Sequence, residues 1–468
     1  MSIPGIPGIP GLGQAPAAAS FAAPTATSSV VLHELQANSE WRFEVAFGRS
    51  IEVKLLSGTA EIFGTELAEK HAYTFRGTKA SIFTWHGCRL EVPGTCEEYT
   101  AEDTPMVPYV NTHFALEKLR DEAAQNKGEG PRVLVVGPNN AGKTSLVKIL
   151  AGYAIRMERQ PMVINTDNRE GLLSIPGSLT ATPFASIIDV EQGWGSSPTS
   201  GPSPVPVKLP LCYYYGLPSP EDNTKMFKSV VTRLALAATS RLAADPAVKE
   251  TGMIIDTPGV LSQGKEGYDL ISHIVMEFSV NIILVLGSER LYSEMNRRFA
   301  SNTTPGQAVT VVKLDKSGGC VDRDDAFMRQ TQELAIREYF FGDSKRTLSP
   351  HTQNVNFDDI TIYRIRESSS THISFLSGDS TELDPSSSEI YEKVSPTGLL
   401  LHCIFAVMYA TLRDTQETIR DASVMGFVYV AEVDEKKRRL KILAPLNTRI
   451  TDRPMVWGTW PESSVSLI

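Results

Sequence analysis

The alternation of hydrophobic and polar positions changes rhythm three times along this chain. Between residues 29 and 110, short runs alternate apolar with polar side chains: WRFEVAF, SIEVKLL, AEIFG, YTFRG, SIFTWHG and RLEV. Period-two runs separated at even spacing by Gly, Ser and Thr predict a small antiparallel β-sandwich or barrel. The segment HFALEKLRDEAAQ (113–125) then places Phe114, Leu116 and Leu119 on one expected helical face. From 131 to about 345 continuous apolar runs take over: RVLVV, PMVIN, GMII, NIILVLG and AVTVVKL. They alternate with amphipathic stretches such as TKMFKSVVTRLALAATSRLAA and YDLISHIVMEFSV, the order a parallel sheet requires. Beyond 348 the pattern predicts strands in ITIYRI, GFVYVAEV and LKILAP, and one apolar helix in GLLLHCIFAVMYATL.

The strand expected at Arg132–Val136 runs into Gly137, four residues, and Gly142-Lys143-Thr144. That spacing, between a strand and a helix, is a phosphate-binding loop. Glycines let backbone N–H groups approach phosphate oxygens, and the helix that follows presents its positive end. Lys143 is expected to reach β- and γ-phosphates, and the Thr144 hydroxyl to ligate Mg²⁺. Gly137, Asn140, Ala141, Gly142, Lys143, Thr144 and Ser145 are therefore the candidate nucleotide-binding residues. A carboxylate ending a neighbouring strand orients the metal in such sites, and both Asp167 and Asp256 qualify. Asp256-Thr257-Pro258-Gly259 also fits the D-x-x-G switch of GTPases. The matching guanine-reading segment is Val312-Lys313-Leu314-Asp315, where Val lacks the required hydrogen-bonding group, so a GTPase is disfavoured. The fold class is α/β: a P-loop NTPase central domain (111–347) with a parallel sheet, an N-terminal β-sandwich (29–110) and a C-terminal α/β domain (348–468).

Composition changes this picture little. Residues 1–28 hold G-I-P repeats and Ala/Pro/Ser/Thr with almost no charge, and are expected to be disordered. Five scattered cysteines without a C-x-x-C pair argue against a disulfide frame or a zinc site. No apolar run approaches the ~18–20 residues of a membrane span, and no secretory signal is evident. A net charge of −9 makes a dominant nucleic-acid surface unexpected, so RNA contact is expected to be weak or indirect. Helix 322–342 offers Arg323, Arg329 and Arg337 to a transferring phosphate, although from composition alone a solvated, charge-striped helix is favoured. Lys436-Lys437-Arg438-Arg439 sits between two expected strands, where an exposed hairpin turn is favoured over a nuclear-import signal.

Assembled, these residues resemble the Clp-type subunit of the pre-mRNA cleavage and polyadenylation machinery, within the P-loop polynucleotide 5′-hydroxyl kinases. Segments such as Ala60–Leu67, Phe83–Cys88, Asp103–Met106, Ser174–Gly177, Lys316–Gly319 and Arg337–Phe340 carry the resemblance. It implies ATP held between sandwich and central domain, with Glu40 and Lys79 of the sandwich meeting the nucleotide. It also implies Mg²⁺ held with Thr144 and Asp167, a nuclear location, and docking of a Pcf-type scaffold subunit among other cleavage subunits. Three departures bear on catalysis. Active kinases of the family carry D-x-G-Q where this chain has Asp167-Asn168-Arg169-Glu170. Val260 stands at the position of a base-stacking Trp, and the lid keeps Arg323 but has Met328 at its second arginine position. Losing one such arginine costs on the order of 10³-fold or more in rate. The resemblance therefore implies a nucleotide-holding scaffold without a working kinase centre, with an active ATP-dependent RNA 5′-hydroxyl kinase as the alternative.

Overall fold

In the strand Ile51–Gly58, Ile51, Val53 and Leu55 are buried while Glu52 faces solvent, so one pleat face supplies core. The computed structural model describes residues 30–366 and 390–467, apart from 196, 199, 201–207, 300–307, 344, 448 and 464–466. The N-terminal tail, most of the Pro/Ser-rich loop at 192–206 and the Ser-rich acidic insertion at 368–388 thus lie outside the described residues. Nine strands build the first unit: β1 (Val30–Leu35), β2 (Ser39–Val45), β3 (Ile51–Gly58), β4 (Glu61–Ile62), β5 (Thr65–Glu66), β6 (Ala72–Phe75), β7 (Thr78–Thr84), β8 (Cys88–Pro93) and β9 (Glu97–Ala101). They form sheets ordered β1-β8-β3-β6 and β5-β4-β7-β2-β9, with antiparallel strand pairing throughout. Trp41, Phe43, Ile51, Val53, Phe75, Ile82 and Leu90 fill the space between them.

Helix α1 (Met106–Asn126) leads into the central unit. Its buried face is Met106, Tyr109, His113, Leu116, Glu117, Arg120 and Ala123, whereas Phe114 and Leu119 are exposed. The expected apolar face is corrected accordingly. A buried ion cluster replaces it: Arg120 donates to Glu117 and to the Thr251 carbonyl, and Arg159 pairs with the same Glu117 at 3.0 Å.

The central sheet contains β10 (Arg132–Val136), β11 (Met162–Asn165), β12 (Ser178–Pro183), β13 (Leu211–Tyr214), β14 (Met253–Asp256), β15 (Ile282–Leu286) and β16 (Thr310–Leu314) in the order β13-β12-β11-β14-β10-β15-β16. β11, β14, β10, β15 and β16 pair in parallel; β12 and β13 add an antiparallel edge that periodicity did not disclose. Alternate residues of β10 enter different cores, Val133 and Val135 on one side and Leu134 and Val136 on the other. Helices α2 (Lys143–Arg156), α3 (Thr224–Ala244), α4 (Pro246–Thr251), α5 (Gly264–Glu277), α6 (Glu289–Phe299) and α7 (Asp325–Phe341) pack around it.

The C-terminal sheet joins β17 (His351–Asn356), β18 (Ile362–Ile365), β19 (Tyr391–Val394), β20 (Ile404–Met408), β21 (Val424–Asp434), β22 (Arg439–Ala444) and β23 (Met455–Trp457). One short helix, α8 (Gln416–Asp421), accompanies it among the described residues. The expected apolar helix at 398–412 is instead a 3₁₀ turn followed by strand β20. Ile404, Ala406 and Met408 pack into the central core, and Phe405 and Val407 into the C-terminal core. A strand buried on both faces reads as a continuous apolar run, which periodicity cannot tell from a buried helix. Lys436, Lys437 and Arg438 lie in the tight turn joining β21 to β22, as the hairpin reading expects.

Candidate functional site

The loop from Gly137 to Gly142 leaves β10 and closes on α2. Asn140 (φ 56°) and Gly142 (φ 86°) are left-handed, the backbone form that turns N–H groups toward one concave side. A side chain at Gly137 would meet the Leu286 carbonyl at 2.7 Å, and one at Gly142 the Cys320 sulfur at 2.7 Å. Ala141 within the loop is buried, and Ser145 lines the cavity above it. Lys143 Nζ donates across the loop to the Pro138 carbonyl at 3.0 Å. Burial lowers the affinity of that ammonium for its proton, an effect opposed by Asp256, Asp167 and Glu170.

Thr144 Oγ1 donates to Asp256 Oδ2 at 2.5 Å, so the hydroxyl that follows the lysine is already paired with a strand-end carboxylate. Burial pushes Asp256 up to about 7, against the pull of Lys143 and of the Thr144 hydrogen bond. Asp167 lines the same cavity from the turn after β11, where its Oδ1 accepts from Arg169 N at 2.9 Å. Burial, then the neighbouring Glu170, raises its carboxyl. Thr144, Asp256 and Asp167 together offer the hard oxygen donors a Mg²⁺–phosphate pair takes.

The cavity over this loop, about 600 Å³, is roofed by the five-stranded face of the sandwich. Glu40 is buried on β2; its Oε1 accepts from Arg42 Nε at 2.5 Å and its Oε2 from Thr104 Oγ1 at 3.2 Å. Lys79 on β7 pairs with Glu44 at 2.9 Å, lies 5.1 Å from the centre of the Phe327 ring, and reaches the Asp322 carbonyl at 3.4 Å. Sequence reasoning missed Arg42, which sits two residues after Glu40 on the same pleat face. Its guanidinium also donates to the Asp103 carbonyl and lies against Gly318 and Gly319; a side chain at Gly319 would come within 2.7 Å of its Nε.

The fourth wall is the segment leading into α7. Arg323 donates to Glu170 Oε1 at 2.5 Å, and Asn140 Nδ2 to Asp322 Oδ1 at 3.4 Å. Met328 lines the cavity and is 7% exposed. Of the three arginines in this helical segment, Arg323 alone lines the cavity: Arg329 faces Glu462 at the surface and Arg337 lies over Phe341. Val260 packs against the central core. Lys313, of the GTPase-like segment, pairs with Glu289 at the surface. Glu170 was visible only as a departure from a motif, and its partner, 153 residues away, had no local signal. Among the described residues no cluster of three His, Cys, Asp or Glu groups forms a metal cage, and no helix is long and apolar enough to cross a membrane.

Three family models match the chain: "mRNA cleavage and polyadenylation factor CLP1 P-loop" over residues 137–342, "N-terminal beta-sandwich domain of polyadenylation factor" over 34–123, and "Pre-mRNA cleavage complex II protein Clp1" over 348–462. The chain is 72% identical over 469 residues, covering all of both chains, to mRNA cleavage and polyadenylation factor clp1 of Botryotinia fuckeliana. It is 51% identical to the corresponding factor of Phaeosphaeria nodorum, covering 95% of this chain and 96% of the relative. Two solved structures superpose with a TM-score of 0.81 at 30% identity, each covering 92% of this chain and 98% or 99% of theirs. One is a wild-type Clp1p–Pcf11p complex. The other concerns an extended Pcf11p–Clp1p interface and the basis of ATP loss in a glycine-to-arginine point mutant.

Proposed function

This chain belongs to the Clp1 family of mRNA cleavage and polyadenylation factors, and from that premise we propose that it is a nuclear subunit of the 3′-end processing machinery that holds ATP as a structural ligand and docks a Pcf11-type scaffold. The observation that carries this reading is the occupied lid arginine: Arg323, the one lid arginine lining the cavity, is paired with Glu170. Phosphoryl transfer needs cationic groups free to meet charge developing on the phosphate. Met328 adds none, and Val260 offers no ring to stack on a base. ATP fits the rest of the site. The glycine-lined loop, Lys143 with one carbonyl partner, and the Thr144–Asp256 pair would hold its phosphates and Mg²⁺. The metal would supply charge neutralisation there. Glu40 and Lys79 would meet the nucleotide from the sandwich. The similar solved structures pair with Pcf11p, and one of them relates a point mutant to ATP loss, which supports both the partner and the ligand.

The intact Thr144–Asp256 pair favours a second reading, a residual RNA 5′-hydroxyl kinase. The two separate on partner affinity. Titrating a Pcf11-type segment into the full chain, we expect Lys143→Ala and Thr144→Ala to weaken binding about tenfold, ~1.4 kcal/mol. Arg329→Ala, on the surface, serves as the control. Equal affinities for all four proteins contradict a structural role for the nucleotide.

A further inference from the structure

Glu170 closes the turn that begins at Asp167, and Arg323 reaches it from the start of the lid. The pair is half-buried, its side chains 31% and 26% exposed. Lys148 lines the cavity one helical turn beyond the phosphate-binding loop, its Nζ 5.7 Å from the centres of the Phe63 and Trp194 rings. Burial works to raise Glu170, yet Arg323, Lys148 and Lys143 together hold it below its ordinary value. Arg323 thus holds Glu170 at 2.5 Å at the rim of a cavity floored by a phosphate-binding loop, with Lys143 and Lys148 lining the same cavity. That is the arrangement a terminal phosphoryl group meets, and an arginine fork accepts carboxylate or phosphate oxygens alike.

Resting on the nucleotide reading above, we propose that Glu170 sets the site's preference between tri- and diphosphate, holding Arg323 in place of a terminal phosphate and competing with that phosphate for it. In the native chain the guanidinium is then occupied whatever the nucleotide, the lid does not register phosphate count, and ATP and ADP bind with similar affinity. Neutralising position 170 releases Arg323 to the terminal phosphate, and ATP gains over ADP.

The test is calorimetric titration of Mg²⁺ with ATP, and separately with ADP, into nucleotide-stripped full-length protein. Four proteins are compared: native, Glu170→Gln, Arg323→Ala and the double variant. Gln keeps the size of Glu170, and melting temperatures without nucleotide verify that each protein is folded. We expect Glu170→Gln to raise the ATP-over-ADP preference about tenfold, and most of that gain to vanish in the double variant. An unchanged preference in Glu170→Gln, or a gain undiminished by Arg323→Ala, overturns the proposal. A native chain that binds neither nucleotide overturns the nucleotide reading and this proposal with it.

Discussion

His113 illustrates how single residues of this chain are tuned by burial. It is 4% exposed on α1, 5.3 Å from the Tyr153 ring, and its Nδ1 has no hydrogen-bond partner among the described residues. Burial lowers its pKa from 6.5 to about 4, with Glu117 pulling the other way and Arg120 and Arg156 adding to the drop. The folded chain therefore prefers the neutral ring. That contribution is complete above pH 6.5 and is lost as pH falls toward 4, at most about 3 kcal/mol. We expect the melting temperature to fall between pH 7.5 and 5, and His113→Phe to fall less over that interval. Parallel losses in the two proteins would assign the acid limb to other groups. At the nucleotide site the same force acts on Asp256 and Asp167, whose carboxyls burial raises, and on Glu170, which Arg323, Lys148 and Lys143 nonetheless hold below its ordinary value. Neighbouring carboxyls thus shift in opposite directions because different side chains surround them.

At the scale of elements, α2 does two things: its first turn completes the phosphate-binding loop, and its flank carries the sandwich. Gly152 on α2 and Gly64 of the sandwich touch backbone to backbone; a side chain at Gly152 would meet the Gly64 carbonyl at 2.9 Å. Beside them Glu61 accepts from the Tyr153 hydroxyl and pairs with Arg156 at 2.9 Å. Alanine inside a helix gains roughly 0.5–1 kcal/mol over glycine. Overpacking against rigid backbone costs about 1–3 kcal/mol, so we expect Gly152→Ala to lower the melting temperature. A rise by the full helix-propensity gain would mean that the seam yields freely. The strand, loop and start of α2 were legible in sequence because their signal is local and chemically constrained. The role of Gly152 was not, because its constraint comes from a residue 88 positions earlier in the chain. Strand β20 and the inner face of α1 were misread for the same reason. Phe405 and Ala406 face different cores, and Glu117 and Arg120 are buried because a partner from a distant segment satisfies them.

Across the whole molecule, the nucleotide site is tied to both flanking units. The sandwich is attached at the α2 seam, through Thr74 N donating to Glu191 Oε1 at 2.7 Å, and on the lid side through Arg42 against Gly319, Lys79 against Asp322, and Phe47 against Phe327. The seam needs no nucleotide, so on our reading ATP braces the lid side. The C-terminal unit holds the Asp167–Glu170 turn from the other direction, Trp460 Nε1 donating to the Asn168 carbonyl at 3.2 Å. It also grips α7, where the Tyr339 hydroxyl accepts from Phe427 N at 2.9 Å. Arg169 and α7 are joined directly as well, since Gln332 Nε2 donates to the Arg169 carbonyl. A lid anchored to Glu170, the sandwich and the C-terminal sheet suits a ligand that stays in place more than one that turns over. The central claim is that this chain keeps ATP whole. The most direct measurement incubates the purified protein with Mg²⁺ and a 5′-hydroxyl oligoribonucleotide, denatures it, and quantifies the released nucleotide and the 5′-phosphorylated RNA. The account predicts about one intact ATP per chain and no phosphorylated RNA; ADP released in step with phosphorylated RNA would contradict it.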